Sequence, residues 1–315
     1  MILGPTAGGK SELAVSIAES VGGEVISADS MQVYRHMDAG TAKPSARLRE
    51  QVVHHMIDIV EPGERFTVSE WFERVERLIP DLQSRGVTPV IVGGTNLYIK
   101  TLLEGMFTGP EADIEFRESL AALDSQELHS RLKQIDPDAA GRIYPNDRKR
   151  IIRALEVYHQ TGQAISKFQQ QWSDSRNEPY RHDPVLIGLD WPVELINRRI
   201  NLRVKAMYYP EKVDPALASE ICPNGESLPE EIRRLDETGM LGEQASEALG
   251  YKQVLEYLSG RCTLSEAYER TKILTRRFGK QQRTWLRRFH GVNWLNMEEL
   301  QDNSLLLSRA LAHIH

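Results

Sequence analysis

Gly4-Pro5-Thr6-Ala7-Gly8-Gly9-Lys10-Ser11 fits the pattern Gly-x4-Gly-Lys-Ser/Thr in full. No other feature constrains the fold as much. The glycines let successive backbone N–H groups turn inward around a phosphate without Cβ clashes. The helix that opens at Ser11 adds the positive end of its dipole. Lys10 supplies a full charge, and the Ser11 hydroxyl suits Mg²⁺. Such a loop belongs between a strand and a helix. It specifies a polyphosphate, but neither which one nor whether it is hydrolysed.

The first hundred residues agree with that setting. Short apolar runs at Glu24–Ala28, His55–Val60 and Val87–Val92 read as strands. Helical patterns at Ser11–Ser20 and Val68–Ser84 lie between them. Strand–helix alternation predicts an α/β fold with a parallel sheet. Only Met1, Ile2 and Leu3 precede Gly4. That is short of the usual five or six residues, so a start upstream of Met1 is expected. From Glu111 to Trp172 the chain reads as helices punctuated by Pro110, Pro137 and Pro145. A strand returns at Pro184–Leu189, and a long helix is predicted from Ser265 to Phe289. Tyr208–Pro229, with Pro210, Pro215, Pro223 and Asn224-Gly225, reads as an irregular loop. The expectation is a P-loop NTPase-like parallel-sheet core from residues 1–105 and 185–315, with a helical C-terminal region. An all-helical insertion over residues 106–184 interrupts it.

Composition excludes several classes. Among 315 residues, 40% are hydrophobic and 27% charged, enough for a core and too ordered a mixture for general disorder. No apolar run approaches the roughly 18 residues of a membrane helix. No basic segment followed by an apolar stretch opens the chain, as a secretory leader would. Cys222 and Cys262 are the two cysteines, too few for a disulfide scaffold or a cysteine zinc site. A reducing cytoplasm is the expected compartment.

The net charge of -6 argues mildly against a nucleic-acid partner, but its distribution argues the other way. Arg148, Lys149, Arg150 and Arg153 cluster. No Asp or Glu occurs in residues 270–290, where Lys272, Arg276, Lys280, Arg283 and Arg287 recur at helical spacing with Trp285 and Phe289 interleaved. A one-sign stripe on an acidic chain fits a phosphate backbone; the alternative is a solvated helix face, which usually mixes both signs.

Other candidates fall at the edge of the predicted sheet. Asp29 follows the strand Glu24–Ala28, at the end where open α/β sheets bind ligands. It reads as a general base, a metal ligand or a helix cap. Thr95, after Gly93-Gly94, reads as a cap or a substrate contact. Arg199 and Arg203 share one helix face, from which either could reach phosphate.

With these motifs the chain resembles the bacterial tRNA dimethylallyltransferases (tRNA isopentenyltransferases). The resemblance runs nearly end to end. It rests on Gly4–Ser11, Asp29–Tyr34, Gly40–Pro44, His54–Asp58, Gly93–Tyr98, Pro145–Asp147, Arg153–Val157, Leu249–Gln253 and Thr284–Arg287. It implies transfer of a dimethylallyl group from its diphosphate to the exocyclic amine of the adenosine 3′ of the anticodon, with Mg²⁺. It also implies roles. Gly4, Pro5, Thr6, Ala7, Gly8, Gly9, Lys10 and Ser11 hold the diphosphate, Ser11 with Mg²⁺, and Arg203 assists. Asp29 deprotonates the amine beside Thr95. Asp29, Ser30, Met31, Gln32, Thr95 and Arg117 contact the tRNA. So do Lys149, Arg150 and Arg153, then Gly250, Tyr251 and Lys252, and finally Lys280, Arg283 and Arg287. The insertion grips the anticodon stem-loop, and a monomer is expected.

Three features depart from the family pattern: the short first strand, Val53 where a proline usually precedes the paired histidines, and the long Tyr208–Pro229 segment. The zinc finger of eukaryotic relatives is absent. Two other activities fit the phosphate loop and Asp29: a small-metabolite kinase, and a prenyltransferase acting on free adenine nucleotides. Neither accounts for the basic stripe and the insertion. A non-catalytic RNA-binding protein is the remaining alternative.

Overall fold

The computed structural model describes residues 1–106, 109–169, 179–300 and 302–314. These fall into two compact units, residues 1–102 with 184–315, and residues 103–183.

The first unit is built on a six-stranded parallel sheet: β1 (Ile2–Leu3), β2 (Gly23–Ala28), β3 (His54–His55), β4 (Thr88–Gly93), β5 (Leu186–Asp190) and β6 (Val292–Asn296), in the order β3-β2-β4-β1-β5-β6. Two-residue β1 lies inside the sheet: Ile2 pairs with Val92 on one side and Ile187 on the other. Short as it is, both its residues are buried among apolar neighbours. Because all strands are parallel, the segments after Leu3, Ala28, Gly93 and Asp190 emerge at one edge, where the site is assembled.

Helices cover the sheet for reasons visible in their sequences. α1 (Lys10–Val21) buries Leu13, Ala14, Val15, Ile17 and Ala18. Between them lies α2 (Ala46–Gln51), on the β2–β3 connection. α3 (Val68–Ser84) starts at a capping box of Thr67 and Glu70 and buries Trp71, Val75, Ile79 and Leu82 at helical spacing. Trp71 stacks on Tyr98 of α4 (Asn96–Glu104), and its Nε1–H donates to the Ser27 carbonyl (2.9 Å) beneath the site.

Three expectations need correction. The strand expected at His55–Val60 shrinks to His54–His55, because left-handed Met56 (φ 63°) and Asp58 (φ 55°) turn the chain away. The segment Tyr208–Pro229 is not an irregular loop: it holds a 3₁₀ turn (Pro210–Lys212) and a helix (Pro215–Ile221). Asp214 caps that helix and Pro215 occupies its first position, where proline fits. The C-terminal region also contains a missed strand, β6, paired to β5 throughout its length. The long helix runs Leu264–Leu286, starting from a Thr263–Glu266 capping box. Val53, in the family's proline position, pairs through its carbonyl to the Val25 N–H (2.9 Å), a bond that needs no N–H from residue 53.

The second unit is helical among its described residues. Leu120, Leu128, Leu132, Ile151, Leu155, Val157 and Ile165 form its core with Ala139, Ala140 and Ala154. Glu156 is fully buried there, holding Arg117 (2.7 and 2.9 Å), Arg153 (2.5 Å) and the Asp113 N–H (2.8 Å). Burial pushes its carboxyl up, but those hydrogen bonds outweigh burial and hold it below the ordinary range.

Candidate active site

A cleft of about 250 Å³ opens at the edge of the sheet. The phosphate loop forms its floor, and Ser27, Asp29, Gln32, Gly93 and Gly94 form one wall. Thr41–Ser45 and the helices bearing Arg203, Leu217 and Gln282 complete it. Thus the helix Pro215–Ile221 contributes Leu217, Glu220 and Ile221 to the lining.

The loop is shaped by its own backbone. Gly8 N–H donates to the Pro5 carbonyl (3.1 Å), and a Cβ on Gly8 would sit 2.8 Å from that oxygen. Gly9 adopts φ 81°, the left-handed region that favours glycine. Trp191 braces the loop through Nε1–H to the Gly8 carbonyl (3.0 Å).

Cations converge on this loop, and among the described residues no carboxylate lies within ion-pair distance of Lys10, Arg199 or Arg203. Lys10 Nζ donates to the Pro5 carbonyl (2.9 Å). Burial, reinforced by Arg203 and opposed by Asp29, brings its pKa down to about 8. Arg203 donates through one terminal nitrogen to Thr6 Oγ1, while its buried Nε has no hydrogen-bond partner among the described residues. Burial lowers Arg203 to about 10, with Asp29 raising it and Arg199 lowering it. Arg199 donates from Nε to the Ala7 carbonyl (2.8 Å) and lies over the Trp191 ring. Desolvated cations gathered on a glycine-rich loop at a helix N-terminus make this the candidate anion site of the cleft. Ser11 lines the same cleft, and its hydroxyl is an oxygen ligand of the type Mg²⁺ takes.

Asp29 faces this cleft from the end of β2. Its Oδ1 accepts from the N–H groups of Met31 (2.9 Å) and Gln32 (3.3 Å), which fixes the carboxylate. The helix-cap reading of Asp29 does not hold, because a turn and not a helix follows it: Oδ1 closes that turn, and Oδ2 has no hydrogen-bond partner among the described residues. Thr95 Oγ1 accepts from the Ser30 N–H (3.0 Å), tying the loop after β2 to the loop after β4. Gln32 spans the wall: its Oε1 accepts from Ser27 Oγ, and its Nε2 donates to the Ala42 carbonyl (3.2 Å).

The sequence reading missed a second layer. Glu231, buried in the helix Leu228–Glu237, accepts from the N–H groups of Asp38 and Ala39 (2.9 Å each) and from the Tyr251 hydroxyl. Buried Lys43 pairs with Asp38 (2.9 Å) and with Asp58. These bonds shape the Gly40–Pro44 segment on the cleft wall. Gln282 was missed too: its Oε1 accepts from the Thr6 N–H (2.8 Å) and its Nε2 donates to the Gly94 carbonyl (2.9 Å). A neutral glutamine inside a basic stripe carried no charge signal.

The expected RNA-contact residues have different surroundings. Lys149, Arg150, Lys280 and Arg287 are exposed. Lys252 pairs with Glu247 (3.0 Å) and Arg287 with Asp190 (3.2 Å) at the surface. Arg283 turns inward, donating to the Trp191 carbonyl (3.3 Å). Arg117 and Arg153 hold Glu156. Tyr251 is fully buried and presents no surface to a partner, and neighbouring Gly250 (φ 97°) opens its helix.

Relatives of known name share this chain's sequence and fold. A family model described as IPP transferase matches residues 32–289, and one described as isopentenyl transferase matches residues 1–57. The tRNA dimethylallyltransferase of Geobacter sulfurreducens is 44% identical over 94% of this chain and 90% of its own. A crystal structure of the tRNA delta(2)-isopentenylpyrophosphate transferase of Staphylococcus epidermidis is 34% identical, covers 99% of this chain and 97% of its own, and gives a TM-score of 0.68. A eukaryotic dimethylallyltransferase acting on tRNA gives a TM-score of 0.78 at 26% identity, over 99% of this chain and 77% of its own. A family match over most of the chain and identity above two-fifths across nearly all of it agree: the chain belongs to the IPP transferase family.

Proposed function

We propose that this chain transfers a dimethylallyl group from dimethylallyl diphosphate to the exocyclic amine of the adenosine 3′ of a tRNA anticodon. The observation that carries this reading is one cleft in which under-partnered Lys10 and Arg203 lie opposite the fixed carboxylate of Asp29. An anion site facing a proton acceptor suits a reaction in which an anion leaves while an amine loses a proton. The relatives' names supply the dimethylallyl group and the tRNA; the adenosine 3′ of the anticodon is what the motif resemblance implies.

The chemistry follows from these residues. The donor's diphosphate lies on the loop amides, Lys10 and Arg203. As the bond between the allyl carbon and the diphosphate oxygen breaks, negative charge grows on the leaving group, and these donors stabilise it without reorganising. The adenine amine nitrogen forms the new bond to carbon, and its proton passes to Asp29. Mg²⁺ fits the oxygen chemistry at Ser11, and when bound it would further neutralise the diphosphate. Water must be kept from the developing allyl cation, so the adenine has to leave its stack and fill the cleft. Exposed Lys280 and Arg287, with Lys149 and Arg150 of the helical unit, are the proposed contacts to the tRNA backbone. Ser30 and Met31, next in sequence to Asp29, are proposed to contact the tRNA beside the acceptor. The chain works in the cytoplasm as a monomer on the anticodon stem-loop.

The test is product mass. The chain is mixed with Mg²⁺, dimethylallyl diphosphate and an unmodified anticodon stem-loop. Gain of one C₅H₈ unit on the adenine is the expected result. No gain, with ATP consumed in the absence of RNA, would return the reading to a small-metabolite kinase.

A further inference from the structure

Gln282 is 2% exposed and carries no charge, yet among the described residues it is the one side chain that hydrogen-bonds both the phosphate loop and the loop after β4. Its two bonds use both ends of the amide, so neither Glu nor Met reproduces them. The fit at Gly94 is close: a Cβ there would lie 2.2 Å from Gln282 Nε2. One turn earlier on the same helix, Gly279 lets the helix approach Ile200, where a Cβ would come within 3.2 Å. Next in sequence, Arg283 reaches the Trp191 carbonyl, and Trp191 in turn holds Gly8. The helix thus holds the phosphate loop directly at Thr6, indirectly through Trp191 at Gly8, and the acceptor side at Gly94.

We infer that Gln282 is a positioning residue, setting the separation between the phosphate loop that carries the diphosphate and the wall of Asp29 and Gly94 that faces the acceptor amine. This inference rests on the proposed transfer reaction. The two substrates bind on opposite sides of the clamp. Loosening it leaves each with its own contacts but spoils their mutual approach. Near-attack alignment is steep in distance, so a shift of about 1 Å costs on the order of 100-fold in rate.

The experiment compares wild type with Gln282→Met, which keeps the volume and makes neither bond, and Gln282→Glu, which keeps the acceptor for Thr6 and loses the donor to Gly94. Each is assayed well below its unfolding midpoint for kcat, for KM of the stem-loop and for binding of inorganic diphosphate. The expected result for Gln282→Met is a kcat lower by 10- to 100-fold, with stem-loop KM and diphosphate affinity within about threefold of wild type. A kcat within twofold of wild type, accompanied only by a lower Tm, overturns the inference and leaves Gln282 a structural residue. If Gln282→Met does not fold, Gln282→Glu decides by the same kcat criterion. Wild type that transfers no C₅ group sinks the functional reading and the positioning role with it. Wild type that transfers while both variants match it sinks only the positioning role.

Discussion

The cleft and the helical unit both gather arginine and lysine, and they treat them oppositely. In the helical unit, Arg117 and Arg153 bracket the buried carboxylate of Glu156, and that hydrogen bond raises the Arg117 pKa. In the cleft, Lys10 and Arg203 are desolvated, hydrogen-bonded to a carbonyl and a hydroxyl, and their pKa values fall to about 8 and about 10. A cation paired with a buried carboxylate belongs to the fold. One without is held against its own solvation and fits an anion that comes from outside. Residues alike in the sequence therefore divide by what lies next to them.

The largest expected effect concerns the cleft. Asp29→Asn keeps the turn-forming oxygen but takes away the proton acceptor. Transfer is expected to fall by about 10²–10⁴-fold, the range of general-base catalysis. Inorganic diphosphate binding is expected to survive; its loss, measured by calorimetry, would move Asp29 from proton acceptor to metal ligand. Next, Glu156→Gln is expected to destabilise the protein by about 2 kcal/mol, below the full cost of a broken buried pair because both arginines reach water. Thermal unfolding measures it. A neutral outcome would erase the distinction between paired and unpaired cations.

Lys10→Met is expected to weaken inorganic diphosphate about 10- to 100-fold while leaving thermal stability unchanged or higher, since it takes away a desolvated charge. Smallest is Lys280→Glu on the outer face of the long helix. It is expected to weaken stem-loop binding a few-fold at low salt, with a shallower salt dependence. Equal affinity at all salt concentrations would take that face out of the interface. Arg283 is the poorer probe, because its guanidinium also braces Trp191.

How much of this was legible in the sequence follows the same division. The phosphate loop, β2, β4 and α3 were readable because local pattern alone determines them: glycine spacing, a continuous apolar run, a capping box before an amphipathic face. β6 was not, because Val292-Asn293-Trp294-Leu295-Asn296 mixes polar and apolar residues and forms a strand only by pairing to β5. The helix Pro215–Ile221 was hidden by its prolines, although Asp214-Pro215 is itself a start signal. Lys10, Asp29 and Arg203 were readable as cleft residues from motif and helix face. Gln282 and Glu231 were not, since their partners lie 188 and 192 residues away. Burial of Tyr251 was equally invisible, its motif position giving no sign of the Glu231 carboxylate it meets.

The central claim is that the cleft cations await an external anion, and a proton count tests it most directly. Inorganic diphosphate is titrated into wild type and into Lys10→Met near pH 8, in buffers of different ionisation heat. Lys10 sits near its own pKa there, so a bound anion that restores its charge draws in up to about half a proton. The account predicts that wild type takes up this fraction more than Lys10→Met and binds more tightly. Equal proton uptake and equal affinity in the two proteins would contradict it.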